Sequence, residues 1–146
     1  MLSLSTRGRY ATRIMAYLAS RPDPTPARKQ EISEAEQISA DYLEQILVEL
    51  KAAGLVCSFR GAKGGFCLGR EAETISVADV LDATEGPIRL APCLMDHCGQ
   101  AEHCGARSLW QEAAKALSET FAKTSIAEMA ARRRHLQDST PVSFDI

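Results

Sequence analysis

Apolar positions recur at helical spacing along most of the chain, with one short stretch of strand character. Over residues 5–20, Tyr10, Ile14, Tyr17 and Leu18 mark one helix face, and the three prolines within residues 21–26 stop it. Thr25 before Pro26 predicts an N-cap and a first-turn proline, opening a second helix through Glu36 with Ile32 and Ala35 facing inward. Gln37 and Ile38 then form a turn, and Ser39 caps a third helix. In it Leu43, Ile46, Leu47 and Leu50 follow the i, i+3, i+4, i+7 pattern until Gly54. Residues 55–60 and 65–69 read as two strands joined by the Gly-rich residues 61–64, a β-hairpin. Residues 75–84 form a fourth, short helix on Ile75, Val77, Val80 and Leu81. Farther on, Leu109, Trp110, Ala113, Ala116, Leu117 and Phe121 make a wide stripe on a long helix, and Ile126 and Met129 lie on the next.

Helix, helix-turn-helix and hairpin in that order predict a winged helix, so the fold class is mainly α with a small β-hairpin and a long dimerisation helix. Residues 1–85 form the winged-helix domain, 86–105 a cysteine loop, 106–138 the dimerisation helices and 139–146 a flexible tail. A winged helix places its second turn helix in the DNA major groove and its wing on neighbouring backbone or minor groove. Arg60 and Lys63 at the wing tip, beside glycines that permit close approach to phosphate, favour DNA over a purely protein-binding winged helix. The stripe on the long helix calls for a partner, and a second copy of the chain matches a palindromic operator.

Composition narrows the setting. The chain has 146 residues, enough for one domain with a real core. It has no run near the roughly 18 apolar residues of a membrane span and no apolar N-terminal leader, so a cytoplasmic protein without a membrane partner is expected. In that reducing compartment five cysteines, an odd number, are ligands or free thiols rather than a disulfide framework. The net charge of −2 is uneven. Residues 1–70 carry ten Lys/Arg against seven Asp/Glu, and residues 71–146 seven against twelve, leaving +3 and −5. A basic N-terminal half can bind a polyanion when its cations share a face.

The candidate chemistry lies in residues 92–105, where Cys93, Cys98 and Cys104 stand in a polar loop containing Gly99 and Gly105. Three thiolates so close together suggest a metal. Their wide spacing suits an iron-sulfur core better than the tight Cys-x2-Cys arms of zinc sites. With only three histidines and scattered carboxylates, no nucleophile triad, phosphate loop or paired acid and base can be assembled, so an enzyme is not expected. His135, after three arginines, reads as a solvated basic helix end. Cys57 and Cys67 face each other across the hairpin if Arg60 pairs with Gly64. A wing disulfide is then geometrically available, although small reduced thiols are the expected state.

In five segments taken in order, the chain resembles the Rrf-two family of bacterial winged-helix regulators, in its IscR-, NsrR- and RirA-like branch. They are residues 4–11, 38–46, 53–56 and 60–66, then the cysteine trio followed by Leu109 and Trp110. The resemblance implies a homodimer on operator double-stranded DNA, with an iron-sulfur cluster, [2Fe-2S] or [4Fe-4S], in the cysteine loop. It places the recognition surface on Ser39, Asp41, Tyr42, Glu44 and Gln45 and the groove-entering wing residue at Arg60. In chemical terms Gln45 can pair with adenine, Glu44 can accept from the cytosine amino group, and Tyr42 can meet phosphate. Asp41 departs from the small hydroxyl residue of the family pattern. IscR-like members carry a histidine three residues after the last cysteine. Here that position is Arg107, whose guanidinium stays protonated and cannot ligate. The acidic position of NsrR-like members corresponds to Gly8. The fourth position can then be filled from the loop, with His103 and His97 ahead of Asp96 and Glu102, or by a water or small thiol.

The resulting expectation is a dimeric transcription regulator, a repressor, whose cluster reports iron, redox state or nitric oxide. The alternatives are a cluster-free thiol or zinc switch on the same fold, and, from another class, an iron-sulfur electron-transfer or carrier protein.

Overall fold

A computed structural model describes residues 2–140. The expected tail lies mostly outside them. Helix α1 (Thr6–Ser20) starts at Ser5, whose hydroxyl accepts from the Gly8 N–H at 3.1 Å. It buries Ala11, Ile14, Met15 and Leu18. Helices α2 (Lys29–Glu36) and α3 (Ala40–Ala52) make the helix-turn-helix. In the turn Gln37 is left-handed (φ 57°) and its N–H donates to Ser33 O, while Ile38 is buried and Ser39 caps α3 through the Tyr42 N–H. Leu43, Ile46, Leu47 and Leu50 are all buried, as their spacing requires, each contributing about 2 kcal/mol of apolar burial.

The second helix differs from expectation. It begins at Lys29, not after Thr25, because the intervening backbone is engaged elsewhere. Asp23 accepts from the Thr25 N–H at 2.9 Å, and Ala27 exchanges both backbone hydrogen bonds with Phe66 of the hairpin, at 2.8 and 2.7 Å. The inward position near its end is Glu36 and not Ala35, which is exposed.

Strands β1 (Val56–Phe59) and β2 (Gly65–Leu68) pair antiparallel with Cys57 opposite Cys67, the register read from the sequence. Gly65 has φ +151°, and a Cβ there would meet Ala27 O at 2.4 Å, so the close approach of the 27–28 segment requires glycine. Helix α4 (Val77–Glu85) opens with a full capping box between Ser76 and Asp79 and buries Val77, Val80 and Leu81. After the cysteine loop, α5 (Gly105–Lys123) runs for 19 residues with none of them buried, leaving Leu109 55 % and Trp110 43 % exposed. Helix α6 (Ile126–Asp138) turns back. Ile126 N donates to Ile75 O and Val77 N to Thr124 O, at 2.8 and 2.9 Å, and Ile126 and Ala130 are buried with α6 lying against α1. Helix α6 thus packs on α1 while leaving Leu136 exposed, and α5 leaves Leu109 and Trp110 exposed.

A second structural element was not foreseen. Glu36 is only 1 % exposed, and its carboxylate lies between Arg13 of α1 at 3.0 Å and Arg133 of α6 at 2.5 Å. Arg133 meets Oε1 as an ion pair without hydrogen-bond alignment, while Arg13 also donates to the Glu36 carbonyl. Each guanidinium lies over a tyrosine, Arg13 over Tyr10 at 5.2 Å and Arg133 over Tyr17 at 5.4 Å. The end of α2, directly before the turn, is in this way tied to both flanking helices.

Candidate nucleic-acid interface and sensor loop

Asp41, Glu44 and Gln45 lie exposed on one side of α3, opposite the buried leucine and isoleucine stripe, and Ser39 is exposed at its N-cap. Tyr42 is half-buried, its ring edge-on to Tyr10 at 5.9 Å, so much of its surface goes into packing rather than toward a ligand. Glu44, a carboxylate facing where a polyanion would lie, is paired with Lys29 at 3.1 Å. That pairing sets a cation beside one carboxylate oxygen and leaves the other without a partner in the ion pair. Lys29 and Arg28 are the residues that sequence reasoning missed. Their position follows from the late start of α2, which puts both cations at its N-terminus beside the wing. Arg28 donates to Ala62 O at 2.6 Å and steadies the wing tip. With Arg60 and Phe59 these two cations line an open cleft of about 530 Å³ between the wing and α2. Arg60 and Lys63 are exposed at the tip. Four cations thus stand around a backbone surface rich in glycine, and a helix face carrying hydrogen-bonding side chains lies next to them.

The cysteine loop is built differently. Pro92 to Leu94 make a single 3-10 turn, and further turns close through Cys98 O to Ala101 N and Gln100 O to His103 N, both at 3.1 Å. Arg107, from the first turn of α5, donates to Cys93 O and joins the loop to that helix. So the position that carries a histidine in IscR-like members serves here as a strut. Cys93 and Cys98 are half-buried and Cys104 is exposed, and all three are free thiols. Among the described residues no three His, Cys, Asp or Glu side chains are gathered closely enough to hold a metal ion. His97 and His103 are accordingly not brought into a site with the cysteines. The donor set fits an iron-sulfur group in chemistry, three thiols within twelve residues, in a loop held by short-range turns and by the Arg107 hydrogen bond. Gathering them requires the loop to rearrange.

Gly8 has its own explanation. A Cβ there would meet Glu85 Oε1 at 1.9 Å, and Glu85 accepts from Ser5 Oγ at 2.5 Å, so a side chain at position 8 would push the Glu85 carboxylate off that hydrogen bond.

A family model for the Rrf2 iron-dependent transcriptional regulators matches residues 4–132. The chain belongs to the Rrf2 family. It is 36 % identical over 129 residues to the regulator CymR of Bacillus subtilis, covering 88 % of this chain and 90 % of that one. It is 30 % identical over 146 residues to the regulator IscR of Vibrio vulnificus, covering 99 % and 87 %. Two solved structures are similar throughout. CymR, the global cysteine regulator of B. subtilis, gives a TM-score of 0.75 at 33 % identity, over 90 % of this chain and 98 % of that one. IscR of T. potens gives 0.78 at 30 %, over 96 % and 94 %. The protein is therefore a winged-helix DNA-binding transcription regulator and not an enzyme, as the sequence implied. No helix among the described residues is long and apolar enough to cross a membrane. The relatives include both IscR proteins and CymR proteins.

Proposed function

We propose that this Rrf2-family regulator binds operator DNA as a homodimer and represses transcription in response to the state of the Cys93–Cys98–Cys104 loop. Base contacts come from Gln45 and Glu44, with Ser39, Asp41 and Tyr42 beside them, and backbone contacts from Arg60 and Lys63 of the wing. The observation that carries the reading is the pairing of a loop holding three free thiols with a 19-residue helix that has no fully buried residue and leaves Leu109 and Trp110 exposed. Arg107 is the physical link between them. A second copy covers Leu109, Trp110, Leu117 and Phe121, and any rearrangement of the loop moves Arg107 and with it the start of the dimer helix.

An iron-sulfur cluster supplies the sensing chemistry in this reading, held by Cys93, Cys98 and Cys104 with His103 or His97 as candidates for the fourth position. Loading gathers the loop, and loss of the cluster releases it. Tenfold regulation needs a coupling of only about 1.4 kcal/mol between the loop and the DNA-binding surface. A second reading, a cluster-free thiol or zinc switch, is favoured by two observations. The thiols are not gathered in this structure, and CymR relatives match the chain as fully as IscR relatives do. Iron and acid-labile sulfide per subunit, in protein purified without oxygen, separate the two. Matched iron and sulfide at about two or four per subunit is the expected result and gives the nuclearity. Iron-free protein that still changes its DNA affinity on thiol oxidation overturns the cluster reading.

A further inference from the structure

Two of the five cysteines lie outside the sensor loop, on the wing. Cys57 and Cys67 are directly opposed in the hairpin, and their sulfurs are 3.0 Å apart. The backbone pattern defines what kind of pair they form. Phe66 turns both its N–H and its C=O toward Ala27, and Gly69 N donates to Leu55 O at 2.9 Å. Alternation along the ladder then makes Cys57 and Cys67 a hydrogen-bonded pair, with Cα atoms about 5.5 Å apart. That separation sits at the commonest Cα distance of disulfides, and the sulfurs need to close by only about 1 Å to reach bonding length. Both residues are half-buried, and Cys67 borders an open cleft of about 530 Å³ lined by Leu18, Arg21, Asp23 and Phe66, which admits a small oxidant.

We propose that Cys57 and Cys67 form a second redox site, a cross-strand dithiol that a hydroperoxide converts to a disulfide, and that the bond weakens the wing's hold on DNA. In the first step the Cys57 thiolate attacks an oxygen of hydrogen peroxide, breaking the O–O bond and giving a sulfenic acid and hydroxide. In the second, Cys67 gives its proton to that hydroxide, and its sulfur attacks the sulfenic sulfur and displaces a second hydroxide. The two thiol protons and two hydroxides leave as two waters, the dithiol is oxidised by two electrons, and the peroxide is reduced. The effect on DNA follows from position. Arg60 is three residues beyond Cys57, and the wing has only four paired positions, so a covalent link across one of them stiffens a hairpin whose tip must adjust to meet phosphate. The site is independent of whatever the loop cysteines hold.

The test uses the full chain, both unmodified and with Cys93, Cys98 and Cys104 replaced by serine, treated with hydrogen peroxide, alkylated and digested with trypsin. The expected product in both is residues 52–60 joined to residues 64–70, lighter than the two reduced peptides by two hydrogens. In the loop-serine protein, affinity for a mixed-sequence duplex at low salt should fall at least threefold, recover with dithiothreitol, and stay unchanged in Cys57→Ser. Alkylated or separately sulfinylated cysteines in place of the linked peptides would overturn the site. Linked peptides with unchanged DNA affinity would overturn the switch. The first readout involves no DNA, so its outcome is distinct from that of the DNA-binding reading.

Discussion

Glu36→Ala is the substitution whose outcome is most fully determined by the structure. The carboxylate is almost wholly buried between Arg13 and Arg133, so its removal leaves two guanidinium groups facing an apolar void. Breaking a buried ion pair by removing one partner costs about 3–5 kcal/mol when the remaining charge cannot reach water. Here Arg13 is 47 % exposed and Arg133 22 %, so both recover part of their hydration. Each guanidinium also keeps its tyrosine ring. The expected loss is therefore about 2–3 kcal/mol, or roughly 5–10 °C in Tm for a chain of this size. Glu36→Gln preserves volume and the Arg13 hydrogen bond, and should lose about half as much. Urea unfolding at one fixed protein concentration reads the change as a shift in midpoint at constant slope, and the fixed concentration matters because dissociation of the proposed dimer would contribute to stability. A double-mutant cycle with Arg133→Ala should show coupling of at least about 1 kcal/mol. A loss below about 0.5 kcal/mol, the value of a surface pair, would refute the reasoning and mean that water screens the triad.

Arg60→Ala should weaken DNA binding and lower the steepness of its salt dependence by about one phosphate contact, leaving any bound iron in place. Cys98→Ala should lose iron while circular dichroism and dimer mass are unchanged. Replacing both Leu109 and Trp110 with aspartate should shift sedimentation from dimer to monomer, because both side chains lie exposed on α5. Burial, with a smaller contribution from the hydrogen bond to Cys57, pushes the Cys67 thiol up to about 11. The folded protein therefore holds that proton more tightly than the unfolded chain, and the associated stability, fully present below pH 9, should be lost as pH rises through about 11. Cys67→Ala should flatten urea midpoints across that window.

How far the sequence reaches depends on how local the determining interactions are. The α3 stripe, the Ser39 cap and the Cys57–Cys67 register are set within a dozen residues, and each appears in the structure as the spacing indicated. The start of α2 is set by a strand forty residues away: Phe66 claims the backbone of Ala27, and no local propensity carries that information. Glu36 was hidden for the same reason. A charged residue reads as a surface position until Arg13 and Arg133, from two other helices, are seen to meet it. Arg28 and Lys29 follow from the same shift of α2 and could have been suspected only as two adjacent cations before a helix. The cysteine trio was legible as a set of donors, since spacing and composition are local. Its geometry was not, because the loop is closed by short turns that fix no single arrangement of the three sulfurs.

The central claim, that the state of the cysteine loop sets DNA affinity, is tested most directly by measuring one protein in two states. An operator is first selected from random-sequence duplexes, and its affinity is then compared, without oxygen, for iron-loaded protein and for the same protein stripped by a chelator. The account predicts a difference of at least tenfold, about 1.4 kcal/mol, that disappears in Cys98→Ala. Equal affinity of the loaded and stripped forms would contradict it.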